Sequence, residues 1–283
     1  MQNHQVLLIG GAMRSGTTVI HRVLCTGENT NPYISESWFI ADIMRLYNWN
    51  LTRYEVRHSD QFGDVKNFRE VIWSNIRQYL SLLSVKYNDP ELLVLKHPEL
   101  TYYFPELAKN FNNFKFLVIV RDPRDVIASM LRVAKRHKES RLITPQTEIV
   151  EIKDFCKNYA AYYESVFKNM HVFKNNLMFV KYENFVSNTK EQLALISKFS
   201  GAKYDAEKAA EFQPEHAQAL NFNREERLKD KFSGAFWSEQ YTESLTSQKI
   251  GSYEKDLSAN QIKEIETYLQ EIGRKFGYWG STA

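Results

Sequence analysis

Between residues 10 and 18 the chain reads Gly-Gly-Ala-Met-Arg-Ser-Gly-Thr-Thr, a turn carrying one cation and three hydroxyls. Those are groups for holding an anion. Gly11 and Gly16 stand in the Gly-x-x-x-x-Gly spacing of a phosphate-binding P-loop. The next position, where loops that bind nucleoside triphosphates carry lysine, is Thr17. A triphosphate would lack its chief cationic contact there. A donor with fewer terminal charges, such as a sulfuryl anhydride, needs less compensation and no metal. Arg14, Ser15, Thr17 and Thr18 are equipped to hold it. The plainer alternative is an ordinary corner between a strand and a helix.

The elements around this turn have to position it. Val6 to Ile9 form a continuous apolar run, as in a parallel strand buried on both faces. Val19, Ile20, Val23 and Leu24 follow at helical spacing. Ser15, Gly16, Thr17 and Thr18 therefore fall at a helix N-terminus, where free N–H groups and the helix dipole favour an anion. A second block, Phe-Lys-Phe-Leu-Val-Ile-Val-Arg-Asp-Pro-Arg-Asp over 114–125, repeats the plan. Phe116 to Val120 read as a strand, Asp122 as an N-cap and Pro123 as the first helical residue. Arg121 stands at the strand's end, where ligands bind in open parallel α/β sheets. Ser129 lies two turns into the helix. The alternative for Arg121 is a surface ion pair with Asp122 or Asp125. Two anion sites at two strand ends call for one ligand with phosphates at both ends.

With these two blocks the chain resembles the sulfotransferases that use 3′-phosphoadenosine 5′-phosphosulfate (PAPS). The likeness is to bacterial-type members, and around the donor site to the tyrosylprotein sulfotransferases. Arg14-Ser15-Gly16-Thr17-Thr18 looks like their 5′-phosphosulfate loop, and Arg121 with Ser129 like their 3′-phosphate site. The resemblance implies an α/β fold, a parallel sheet flanked by helices of the P-loop NTPase-like sulfotransferase type. It also implies PAPS as co-substrate, 3′,5′-adenosine bisphosphate (PAP) as product, and no metal. Further positions enter through it. Lys96, in Leu-Lys-His-Pro over 95–98, matches the lysine that approaches the transferred group and, with Arg14, steadies charge on the bridging oxygen. His97 stands near the histidine that animal cytosolic members use as base; its alternative is a structural role. Glu36, 22 positions after Arg14, matches the catalytic glutamate of the tyrosylprotein enzymes. Tyr33 to Ser35 read as a short strand leading to it. Tyr182 matches the tyrosine on the adenine side of the donor. Ser247 and Lys249 map onto a loop that closes over the 3′-phosphate, although the Arg-Lys-Gly of that loop is absent.

Composition sets bounds on this. The chain has 283 residues, 43% hydrophobic and 25% charged, with a net charge of +3. That suits an anionic donor and falls short of a nucleic-acid binder. Two cysteines make no disulfide scaffold or metal cluster. No signal peptide or membrane-length apolar stretch is evident, so a cytoplasmic protein without a membrane partner is expected. We expect a single domain over 1–283. Strands are expected near 5–9, 92–96, 115–120 and 177–181, and a last helix over about 258–274. Residues 37–90 read as an aromatic, helical insertion shaping the pocket for a small-molecule or peptide acceptor. Residues 138–150 read as a polar loop, and 204–245, containing a solvated or structural His216, as a lid or as the other wall of the acceptor pocket. Two rivals remain open at this point. One is a small-molecule or nucleotide kinase with Asp122 as metal ligand; the other is a non-catalytic binding protein on the same scaffold.

Overall fold

A computed structural model describes residues 5–139, 151–211 and 247–280. Four strands form one parallel sheet in the order β2-β1-β3-β4: β1 (Gln5–Gly11), β2 (Leu92–Lys96), β3 (Phe114–Val120) and β4 (Leu177–Lys181). All four fall where apolar runs predict them. Because strand side chains alternate, the sheet feeds two cores. Val6, Leu8, Leu93, Leu95, Phe116 and Val118 face one side. Leu7, Ile9, Leu92, Val94, Leu117 and Ile119 face the other. Apart from Gln5 and Lys115, β1, β2 and β3 are buried on both faces, which is why they read as unbroken apolar runs; β4, at the sheet's edge, is half-buried.

The second face is covered by α1 (Thr17–Leu24), through Ile20, Val23 and Leu24, together with residues near 193–196. The first face takes α2 (Trp38–Leu51), α3 (Val65–Lys86), α4 (Pro123–Glu139) and α5 (Ile152–Lys168). Helices α2 and α3 are the insertion between β1 and β2. Among the described residues no helix is long and apolar enough to cross a membrane.

Two expectations need adjustment. Tyr33 to Ser35 make no strand; a single bridge, Thr30 to Leu92, marks the sheet there. The reason is Asn31, whose Oδ1 accepts the Val94 N–H at 2.6 Å and whose Nδ2 donates to the Val94 carbonyl at 3.2 Å. One amide thus satisfies the β2 edge that another strand would have used, and Pro32, lacking an N–H, cannot extend a ladder. The last helix is two, α6 (Ala259–Tyr268) and a turn over Gln270–Lys275, broken at Leu269. Trp279 folds back against Gly273 there, and its Nε1 donates to Gln270 O at 3.3 Å. Most of the expected 138–150 loop, and the expected lid from 212 on with His216, lie outside the described residues.

Candidate active site

Arg14 to Thr18, Lys96, His97, Arg121 and Tyr182 stand at or just beyond the C-terminal ends of strands; Glu36 sits in the connection ahead of α2, Ser129 inside α4, and Ser247 and Lys249 in a turn near the end of the chain. The loop after β1 is shaped by its glycines. Gly11 has φ +129°, and a Cβ there would lie 2.3 Å from the Ile119 carbonyl. Gly16, the N-cap of α1, has φ +93°, and its Cβ would meet the Tyr182 ring at 2.3 Å. Between them Arg14 also takes a left-handed φ of +71°. That conformation costs an L-residue roughly 1–2 kcal/mol. Three distant groups hold the loop in it. Thr101 Oγ1 accepts the Gly11 N–H at 2.7 Å, Tyr163 Oη accepts the Ala12 N–H at 3.2 Å, and Arg14 Nε donates to Ser129 Oγ at 2.9 Å. The first N–H with an intrahelical acceptor is that of Ile20, bonded to Gly16 O. The helix end ahead of it faces the strand ends, as an anion cradle requires.

Strand register brings the second group alongside. Lys96 pairs with Ile9 in the sheet, so its side chain emerges next to the loop. It is fully buried, and its Nζ donates to Thr18 Oγ1 at 3.1 Å and to Glu36 Oε1 at 2.5 Å. Burial pushes the Lys96 pKa down, and the Glu36 carboxylate opposes that shift. His97 follows, buried, with Nε2 3.9 Å from Glu36 Oε2 and the edge of Trp38 packed on its ring at 4.4 Å. Burial lowers its pKa as well, so the imidazole is neutral near pH 7.

At the end of β3, Arg121 is no surface group: only 6% of it is exposed. Its guanidinium donates to Lys249 O at 2.6 Å and Arg14 O at 3.4 Å, lies 3.6 Å from Asp125, and stacks over Tyr182 at 4.6 Å. Tyr182 thus wedges between the loop at Gly16 and Arg121. Lys249 reaches the site through its carbonyl; Ser247 is exposed at the start of the same turn.

Asp125 is a residue that sequence reasoning left as a mere ion-pair partner. It is fully buried and accepts from Gly251 N–H at 2.9 Å, Tyr253 N–H at 3.0 Å and Ser252 Oγ at 3.2 Å. It staples the 247–255 turns to the start of α4. Asp122, the acid a kinase would need for a metal, caps α4 instead. Its Oδ1 accepts the Arg124 N–H at 2.9 Å, and its carboxylate pairs with the Arg124 guanidinium at 2.6 Å. Among the described residues no group of three His, Cys, Asp or Glu side chains is arranged to hold a metal ion.

A family profile described as "Sulfotransferase family" matches residues 7–206, which contain all of these groups except the 247–255 turns. The chain belongs to that family. Protein-tyrosine sulfotransferase 1 of Rattus norvegicus is 32% identical over 135 residues, covering 46% of this chain and 35% of the rat protein. The Mus musculus counterpart is 32% identical over 131 residues, with 44% and 34% covered. The match thus spans about a third of the length of these curated relatives. Among solved structures, the sulfotransferase domain of the Synechococcus PCC 7002 olefin synthase aligns with TM-score 0.54 at 15% identity, covering 94% of each chain. The sulfotransferase domain from the curacin biosynthetic pathway aligns with TM-score 0.52 at 15% identity, over 95% of this chain and 98% of that one. At these identities the likeness shows the sulfotransferase fold.

Proposed function

We propose that the chain moves a sulfuryl group from PAPS to a hydroxyl or amine of an acceptor. The observation that carries this is the buried Lys96 ammonium, which bridges the anion loop at Thr18 and the carboxylate of Glu36. One cation thus stands between the cradle for the donor and a base for the acceptor. In this reading Arg14 to Thr18 hold the 5′-phosphosulfate, and Arg121 and Ser129 take the 3′-phosphate. Tyr182 lies on the adenine side, with Lys249 and Ser247 closing over the phosphate. Glu36 takes the acceptor's proton as its oxygen or nitrogen bonds to sulfur. The bond from sulfur to the bridging phosphate oxygen breaks, and PAP leaves with the charge that Lys96 and Arg14 steady.

The helical insertion supplies an acceptor wall. Trp38 is 52% exposed beside His97, Phe39 packs against Tyr79 at 4.7 Å with the rings tilted, and Leu46 and Trp49 continue the exposed stripe along α2. Such rings suit an apolar or ring-bearing acceptor, a small molecule or a peptide. A phenolic hydroxyl agrees with the name of the curated relatives. A cytoplasmic site of action, with neither nucleic acid nor membrane as partner, completes the proposal; fractionation of cells expressing the protein tests the location.

Calorimetry with PAP and with ATP–Mg²⁺ tests the donor. Binding of PAP is expected; binding of ATP–Mg²⁺ alone would overturn the assignment. Glu36→Gln should lower turnover by about 10²- to 10⁴-fold, the usual worth of a general base. PAP affinity should stay near that of the wild type.

A further inference from the structure

His97 opens the 3₁₀ turn Pro98–Tyr103, and its Nδ1 accepts the backbone N–H of Glu99 at 3.2 Å. A ring nitrogen that accepts carries no proton, so this hydrogen bond assigns the single proton of the neutral ring to Nε2. That nitrogen is buried and, among the described residues, has no hydrogen-bond partner. The carboxylate oxygen facing it is Glu36 Oε2 at 3.9 Å, about 1 Å beyond hydrogen-bond length. Trp38 packs against the ring at 4.4 Å, the two planes 81° apart. Lys96 meanwhile addresses the other oxygen, Glu36 Oε1.

We infer that His97 is a positioning residue: its Nε2–H aims the second oxygen of Glu36 while Lys96 fixes the first. Closing that gap by about 1 Å would address the carboxylate at both oxygens and hold it in one plane and one rotamer. The inference rests on the reading of Glu36 as the base, and it removes His97 from that role. A base needs an open lone pair; the one on Nδ1 is used by Glu99, and Nε2 carries hydrogen. Burial keeps the ring uncharged, so the donor is a neutral N–H.

The ring has two jobs that two substitutions separate. Asn at 97 can still accept the Glu99 N–H, as asparagine does at N-caps, but presents nothing where Nε2 stood. Gln reaches further and places an amide N–H near the Nε2 position. With PAPS and 4-nitrophenol, His97→Asn should melt like the wild type, keep its KM for PAPS, and lose about tenfold or more in kcat. His97→Gln should recover part of that loss. The ¹⁵N imidazole signals of the full chain at neutral pH, assigned against His97→Gln, should report an Nε2-protonated neutral ring. An Nδ1-protonated or charged ring would overturn the inference, as would wild-type kcat in His97→Asn. Equal losses in both variants would return His97 to the role of base. Absence of PAP binding in the calorimeter would instead overturn the donor reading and leave the tautomer result standing.

Discussion

The two ends of the site are built differently. At the Glu36–Lys96 corner the geometry comes from neighbouring strands. β1 and β2 are adjacent in register, and Lys96 emerges beside the loop that follows β1. At the Arg121 corner it comes from chain segments far apart. Arg14 reaches Ser129 across 115 positions, Arg121 reaches Lys249 across 128, and Asp125 holds Gly251 across 126. The first corner joins a cation to the carboxylate that the proposed chemistry uses. The second has its cation occupied by protein groups, the Lys249 and Arg14 carbonyls and Asp125. Register thus places Lys96 at the end where, in the proposed reading, bonds change. Tertiary contacts assemble the end proposed to recognise the donor, and in that reading a 3′-phosphate takes over N–H groups now bonded to carbonyls.

That contrast can be broken in two places. Lys96→Met should lower turnover by about 10²- to 10³-fold, the usual loss of one donor aimed at developing charge. In the proposed reading Lys96 faces the transferred group and not the 3′-phosphate, so PAP affinity should change little. Arg121→Gln should do the reverse. Losing a charged hydrogen-bond donor costs about 1.5–3 kcal/mol, so PAP should bind roughly 10- to 150-fold more weakly. Turnover at saturating PAPS should stay within a few-fold of the wild type. Calorimetry and single-turnover kinetics on both variants decide it. If both lose affinity alike, the two corners are one unit and the division of labour is wrong.

The same contrast explains what the sequence could show. β1 to β3 were legible because strands buried on both faces are written as unbroken apolar runs, and half-buried β4 because its own short apolar run stands between polar segments. The anion loop was legible because its glycines, cation and hydroxyls are contiguous and the helix behind it keeps its spacing. Lys96 and Glu36 entered through the family resemblance, and register and a side-chain pair join them. Asp125, Thr101 and Tyr163 gave no local signal, since their partners are 126, 90 and 151 positions away. Asn31 was missed for a related reason. An amide doing a strand's work looks like a turn residue, so Tyr33 to Ser35 were read as the strand that Asn31 replaces.

A smaller effect sharpens the comparison from the direction of stability. Behind Lys96, on α1, His21 is fully buried, and its Nε2 donates to the Val94 carbonyl at 3.0 Å. Its Nδ1 is buried with no partner. Burial, and then the charge of Lys96, lower its pKa to about 3 from an ordinary 6.5. A depressed histidine means that the unfolded chain binds the proton and the folded one refuses it. Stability therefore rises with pH between those two values and falls as pH drops below about 6.5. Between pH 6.5 and 5.5, above most carboxylate titrations, His21 should remove about 1 kcal/mol. His97 and His137 are also lowered by burial and add in the same direction, so the informative quantity is a difference. His21→Gln keeps a donor for Val94 and has nothing to titrate. Its urea midpoint should decline less over that interval than the wild type's. Parallel declines would mean that His21 takes up its proton inside the fold, and that the Lys96 corner tolerates a second charge behind it.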